Sequence, residues 1–177
     1  MRAPVLALAL LLLPATGAWA KPAAPNPSGP EGLCLAGEAV FFACSTTKGL
    51  AYVCGTKSPA GQGLQYRFGQ PGKVSLSYPA HATPPAGVFH FSSTAYSGGG
   101  EAHLVFDNDG FRYVLFDRTT AGNRDAKGHR AHDFSTGVLV KKDGRIVSKL
   151  ICKGADDTLR APAYDLPAED FDYDLVP

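Results

Sequence analysis

Beyond Leu13 the chain has no long apolar run, which excludes a later membrane-spanning helix, since such a helix needs about 20 consecutive apolar residues. No stretch keeps a 3.6-residue apolar period, so a helical bundle is excluded as well. No internal repeat of fixed period is present. The cysteines form no C-x₂₋₄-C pair: nine residues separate each of Cys34, Cys44 and Cys54, a spacing that matches no zinc site. The one glycine-rich run, Gly98 to Gly100, lacks the lysine and following helix of a phosphate-binding loop, and Ser97 does not sit in G-x-S-x-G, the pentapeptide of a nucleophile elbow. Asp107 and Asp109 fall in a turn, where Asp bonds nearby backbone N–H groups, and make no glycosidase pair. Nucleic-acid binding has no support either, because the aromatics alternate with core positions. The expectation is a protein that is not an enzyme and carries no cofactor and no metal.

At the N-terminus, Arg2, the apolar run Val5 to Leu13, Pro14 and Ala18-Trp19-Ala20 have the order of a cleavable secretory signal, expected over 1–20. The first cysteine lies well past the cleavage point, so lipid anchoring is not expected. Four prolines in Lys21 to Pro30 predict an extended linker over 21–31. Four cysteines in an exported chain predict two disulfides and a periplasmic or secreted location. The net charge of +1 conceals a division along the chain. Residues 21–154 carry 15 Lys and Arg against 9 Asp and Glu, whereas residues 155–177 carry one Arg against seven acids. That last segment also has three prolines, and it is expected to be a disordered acidic tail, although its aromatics offer a way to dock on the domain.

Between them, 32–154 is a succession of short β-branched and aromatic runs broken by Gly, Asp, Asn and Pro. Val40 to Cys44, Leu50 to Cys54, Gln65 to Phe68, Lys73 to Tyr78, Val88 to Ser92, Ala102 to Phe106, Phe111 to Phe116, Gly137 to Lys142 and Ile146 to Cys152 make about nine strands in sequential hairpins. Asp143-Gly144 is the strongest turn signal. The fold class is all-β, a small antiparallel meander closed as a barrel or barrel-like sandwich. With Cys44 opposite Leu50, Cys54 stands opposite Val40, about 13 Å along the strand and too far to bond Cys44. A turn at Ala36-Gly37 would return Cys34 to Cys54. This favours Cys34 with Cys54 and Cys44 with Cys152, with the other pairings still open.

Two segments are candidates for binding. Tyr96, Ser97, Gly98, Gly99 and Gly100 form a loop whose backbone N–H groups can approach another surface, or else a corner turn of a curved sheet. Arg118 to Phe134 has no strand or helix pattern and is expected to be a long basic loop carrying Arg118, Arg124, Lys127 and Arg130. Antiparallel pairing of Ala102 to Phe106 with Phe111 to Phe116 brings both loops to one end of the sheet. Such a surface suits an acidic cleft or an anionic ligand.

The runs Val40-Phe41-Phe42-Ala43-Cys44, Leu64 to Gly69, Tyr96 to Gly100 and Gly137 to Val140, with Cys152, resemble a group of small exported bacterial proteins of unassigned activity. The cysteine-linked β-domain with a Ser-Gly loop is more distantly similar to the periplasmic lysozyme inhibitors. In that family a Ser-Gly-x-x-Tyr loop enters the lysozyme cleft. Ser97 and Gly98 match its start and Glu101 stands where that family has Tyr. The resemblance implies a secreted enzyme such as lysozyme as partner. A small ligand or an envelope polymer is the alternative.

Overall fold

A computed structural model describes residues 32–56, 63–124, 126–128, 130–154 and 157–176, and the expected leader and linker lie outside them. Ten strands follow in chain order: β1 (Glu38–Ser45), β2 (Leu50–Thr56), β3 (Gly63–Gln70), β4 (Lys73–Thr83), β5 (His90–Tyr96), β6 (Gly99–Asn108), β7 (Phe111–Arg124), β8 (Arg130–Lys142), β9 (Arg145–Ile151) and β10 (Thr158–Leu159). They make two five-stranded sheets, ordered β10-β1-β2-β3-β4 and β5-β6-β7-β8-β9, with every neighbouring pair antiparallel. Each sheet is a run of hairpins because the short apolar runs are separated by residues that tolerate tight turns. At Asp143-Gly144 both residues take the positive φ, 50° and 75°, that a two-residue hairpin demands.

The sheets pack face to face around one core. Phe41, Phe42, Val53, Leu64 and Tyr66 of the first meet Phe91, Leu104, Phe106, Leu115 and Val138 of the second. Rings join the layers directly, Tyr66 with Phe106 at 5.0 Å and Tyr78 with Phe106 at 5.1 Å. Full burial of each such side chain is worth about 1.5–3 kcal/mol.

Both favoured disulfides form, Cys34–Cys54 and Cys44–Cys152. The register that led to them is right at Val40 opposite Cys54 but shifts by one at the other end, where Cys44 faces Ala51 and Ser45 faces Leu50. A bulge between Val40 and Phe42 absorbs the offset. It turns Phe41 into the core, into space kept by Gly55, where a Cβ would lie 2.2 Å from the Phe41 ring. Ahead of β1 the chain is pinned by the buried Arg67, whose Nη1 donates to the Leu33 carbonyl at 2.9 Å and to Glu38 Oε2 at 2.6 Å.

Two expectations are corrected. Arg118 to Phe134 is no irregular loop: its two arms continue β7 and β8, paired at Thr119–Phe134, Thr120–Asp133 and Ala121–His132. Polar residues occupy both faces of this ribbon, so no apolar alternation marks it in the sequence.

The acidic tail is also ordered over 157–176. Thr158 and Leu159 pair with β1, and a 3₁₀ turn, Ala161–Asp165, buries Ala163 against the core together with Leu166. Ala168 then bridges Phe91 in parallel, with the Glu169 N–H donating to the Phe91 carbonyl at 2.8 Å. Val176 ends among Val105, Val114, Phe116 and Leu139 on the outer face of the second sheet. The segment therefore covers the free edges of β1 and β5, edges that otherwise invite pairing with another chain.

Candidate functional site

The β5–β6 hairpin closes in a two-residue turn, Ser97-Gly98, with Tyr96 paired to Gly99 and Gly98 at φ +87°. The three glycines serve close packing. A Cβ at Gly99 would lie 2.0 Å from the Thr119 carbonyl oxygen, and one at Gly98 would lie 3.0 Å from Ala121 Cβ and 3.8 Å from Arg130 Nη1. The turn thus rests against the β7–β8 ribbon, and the two candidate segments do share one end of the second sheet. Beyond the last pair with β6, Gly100–Thr119, the ribbon has no strand partner on its β6 side among the described residues, only the Ser97-Gly98 turn against Ala121. Arg124 Nη1 donates to the Gly128 carbonyl at 2.7 Å and steadies its tip, where Arg124, Lys127 and Arg130 are all exposed. Phe134, 76% exposed, is the most open large apolar side chain among those described.

Arg118 and Tyr96 have other duties. Both point to the outer face of the sheet, where Glu101 is buried beneath them. Arg118 grips Glu101 with Nε at 2.8 Å from Oε2 and Nη2 at 3.0 Å from Oε1, and its Nη2 also donates to the Val176 carbonyl at 2.7 Å. The Tyr96 hydroxyl donates to Glu101 Oε2, and His103 Nε2 to Oε1 at 2.7 Å. Phe171 of the tail stacks on the His103 ring at 4.5 Å and seals the group. Burial raises the Glu101 carboxyl, but the hydrogen bonds from Arg118, Tyr96 and His103 outweigh it and hold the group ionised below the usual range. Burial, with the Glu101 bond, pushes the Tyr96 phenol up to about 12. Burial also lowers His103, which stays neutral with its proton on Nε2, while Nδ1 is buried with no hydrogen-bond partner among the described residues.

This arrangement sets the acid response of the fold. The unfolded chain takes up a proton at an ordinary histidine near 6.5, while the folded chain resists it at His103, so stability declines as pH falls through 6.5. Glu101 acts in the same sense lower down: its stabilisation is complete above 4.5 and is lost as pH falls from there through its depressed folded value. Arg118 and the tail's Asp172 are the other charges acting on His103. Denaturation midpoints measured across this range should fall in wild type and change less above 4.5 in His103→Gln. Equal slopes for the two proteins would remove His103 from this account.

Neither Glu101 nor His103 is among the candidate binding residues that the sequence offers. The only available signal was their i, i+2 spacing, which puts both on one face of a strand; what buries them is the distant tail. Among the described residues the one grouping of metal-type donors is Cys34, Glu38 and Cys54, whose sulfurs are joined to each other and whose carboxylate is held by Arg67. No described helix is long and apolar enough to cross a membrane. The chain matches no family model, no curated protein and no solved structure.

Proposed function

We propose that the protein is an exported binding module, without catalytic activity, that presents the Ser97-Gly98 turn and the tip of the β7–β8 ribbon to an acidic protein surface such as the cleft of a lysozyme. The observation that carries this reading is the ribbon itself. A paired strand extension open to solvent, with Arg124, Lys127 and Arg130 at its tip and Phe134 exposed along it, contributes little to the core. Such a ribbon can enter a concave partner as a preformed element, so little conformational entropy is lost on binding. Its positive charge would steer it to carboxylates and make association salt-dependent. The protein's own tail lies across the outer face of this sheet, away from the ribbon tip, with Arg118 donating to the Val176 carbonyl at 2.7 Å and Lys141 Nζ to the Asp174 carbonyl at 3.1 Å.

The test is a binding and inhibition assay with a lysozyme, comparing wild type with Ser97→Ala and with the triple variant Arg124→Ala, Lys127→Ala, Arg130→Ala. Arg118 and Gly99 are left intact because each is needed for packing. The triple variant should bind about tenfold more weakly at low salt and lose most of its salt dependence. Unchanged affinity and unchanged salt slope in both variants would show that the tip is only a connection.

A further inference from the structure

The inner face of the second sheet is longer than the core it covers. Antiparallel register sorts this face into rows. Phe91, Leu104, Leu115 and Val138 form a row of large apolar side chains in the core. The next row toward the turn is Ser93, Ala102, Asp117 and Thr136, and the one after it Ala95, Gly100, Thr119 and Phe134. Apart from Phe134 at the β8 end, large apolar side chains therefore give way to small and polar ones within two rows. What results is a trough of about 540 Å³, floored by Ala95, Gly100 and Ala102 and overlooked by Tyr164 of the tail. Its volume lies within the roughly 300–1,000 Å³ typical of small-molecule sites.

We infer that this trough is a binding site for a neutral carbohydrate, a short oligosaccharide laid along the sheet with a sugar face against the Tyr164 ring. The chemistry of the lining selects the class. Among the described residues no lysine, arginine or histidine borders it, so the lining favours neither a phosphate nor a carboxylate. Glu101 lines it with backbone only, since its carboxylate is turned to the opposite face and bound by Arg118. The floor carries no large aliphatic side chain to enclose a lipid. What remains suits a ring bearing many hydroxyls, which needs donors and acceptors together. The Ser93 and Thr119 hydroxyls supply both, and the Asp117 carboxylate accepts. Asp117 Oδ2 is engaged by Thr158 and by the Leu159 N–H at 3.0 Å, whereas Oδ1 has only a long bond of 3.4 Å from Thr136 and keeps acceptor capacity. Tyr164 is held edge-on against Phe91, with centroids 5.3 Å apart, and is still 52% exposed. An aromatic fixed on one side and open on the other is an amphipathic wall of the kind that interfaces favour. Burial, and after it the nearby Asp117 carboxylate, raises the Tyr164 phenol, which keeps its hydroxyl protonated as a donor.

This site adjoins the proposed ribbon surface but shares none of the tip residues Arg124, Lys127 and Arg130, so the two can be tested apart. Chitotetraose, cellotetraose and maltotetraose are titrated into the full-length chain and followed by calorimetry and by backbone amide shifts. At least one should bind, with shifts centred on Ala95, Gly100 and Thr119. Tyr164→Ala should weaken that binding about tenfold. Tyr164→Phe and Thr119→Val, which keep the packing, should each weaken it about threefold. The Arg124, Lys127, Arg130 triple variant should bind the sugar as wild type does. Absence of binding by all three oligosaccharides, shifts mapping to another face, or wild-type affinity in Tyr164→Phe and Thr119→Val would each overturn the assignment. Loss of lysozyme binding alone would leave it standing.

Discussion

Replacing Arg118 by alanine is expected to lower the unfolding free energy by about 3 kcal/mol, because it strips the bidentate partner from a buried carboxylate. Glu101 has a side chain only 4% exposed, so the uncompensated charge cannot turn to water. The Tyr96 and His103 hydrogen bonds remain but are not enough to replace a full positive charge. Arg118 also contributes to keeping His103 neutral, and without it His103 should protonate more readily and pair with Glu101. The stability gap between the variant and wild type should therefore narrow as pH falls through the histidine range, because protonation of His103 is resisted less in the variant. Arg118→Lys should fall between the two, since an ammonium gives one point of contact where the guanidinium gives a planar fork. Urea denaturation of the three proteins at several pH values measures this. A loss under about 1 kcal/mol, the value of an exposed pair, would mean that the network is solvated and only ornamental.

The tail shares in that effect, because Arg118 also holds the Val176 carbonyl. Weakening Arg118 loosens the segment that seals His103 with Phe171. The network and its cover are thus one unit, and this explains why the site was only partly legible in the sequence. The nine main strands were visible because each carries its own local signal, a β-branched or aromatic run ended by Gly, Asp or Pro. Hairpin register, with a turn at Ala36-Gly37, favoured the disulfide pairing that forms, and the bulge at Phe41 altered the register without altering the partners. The common end of the turn and the ribbon followed from antiparallel pairing alone. What failed to show was structure made by distant segments. The outer face of β6 looks polar along the chain, and Glu101 and His103 become interior only when Phe171 and Val176 arrive. The ribbon leaves no mark in the sequence for the opposite reason, since residues such as Thr119, Thr120 and Phe134 are paired through their backbones and show no face that burial would mark.

The double variant Cys44→Ala, Cys152→Ala is expected to lose about 4–5 kcal/mol, more than the roughly 3 kcal/mol expected for Cys34→Ala, Cys54→Ala. The difference arises in the unfolded chain. Cys44 and Cys152 lie 108 residues apart and Cys34 and Cys54 only 20, so the first bridge restricts a far larger loop and removes more entropy from the denatured ensemble. In the folded state the long-range bridge fastens β1 of one sheet to the residue after β9 of the other, so it spans the sandwich. It is not alone in that role. The Lys153 N–H donates to the Ser45 carbonyl at 2.9 Å, and Asp157 accepts from the Ser45 N–H at 2.8 Å and the Gly154 N–H at 2.6 Å. These bonds should keep the strands aligned once the sulfurs are gone, so the variant should melt lower while its far-ultraviolet circular dichroism stays of β type. Urea titrations of both variants, with spectra taken at each step, decide the matter. If the short-loop variant proves the less stable of the two, the bridges act through packing of the folded protein around β1, and chain entropy is not their main contribution.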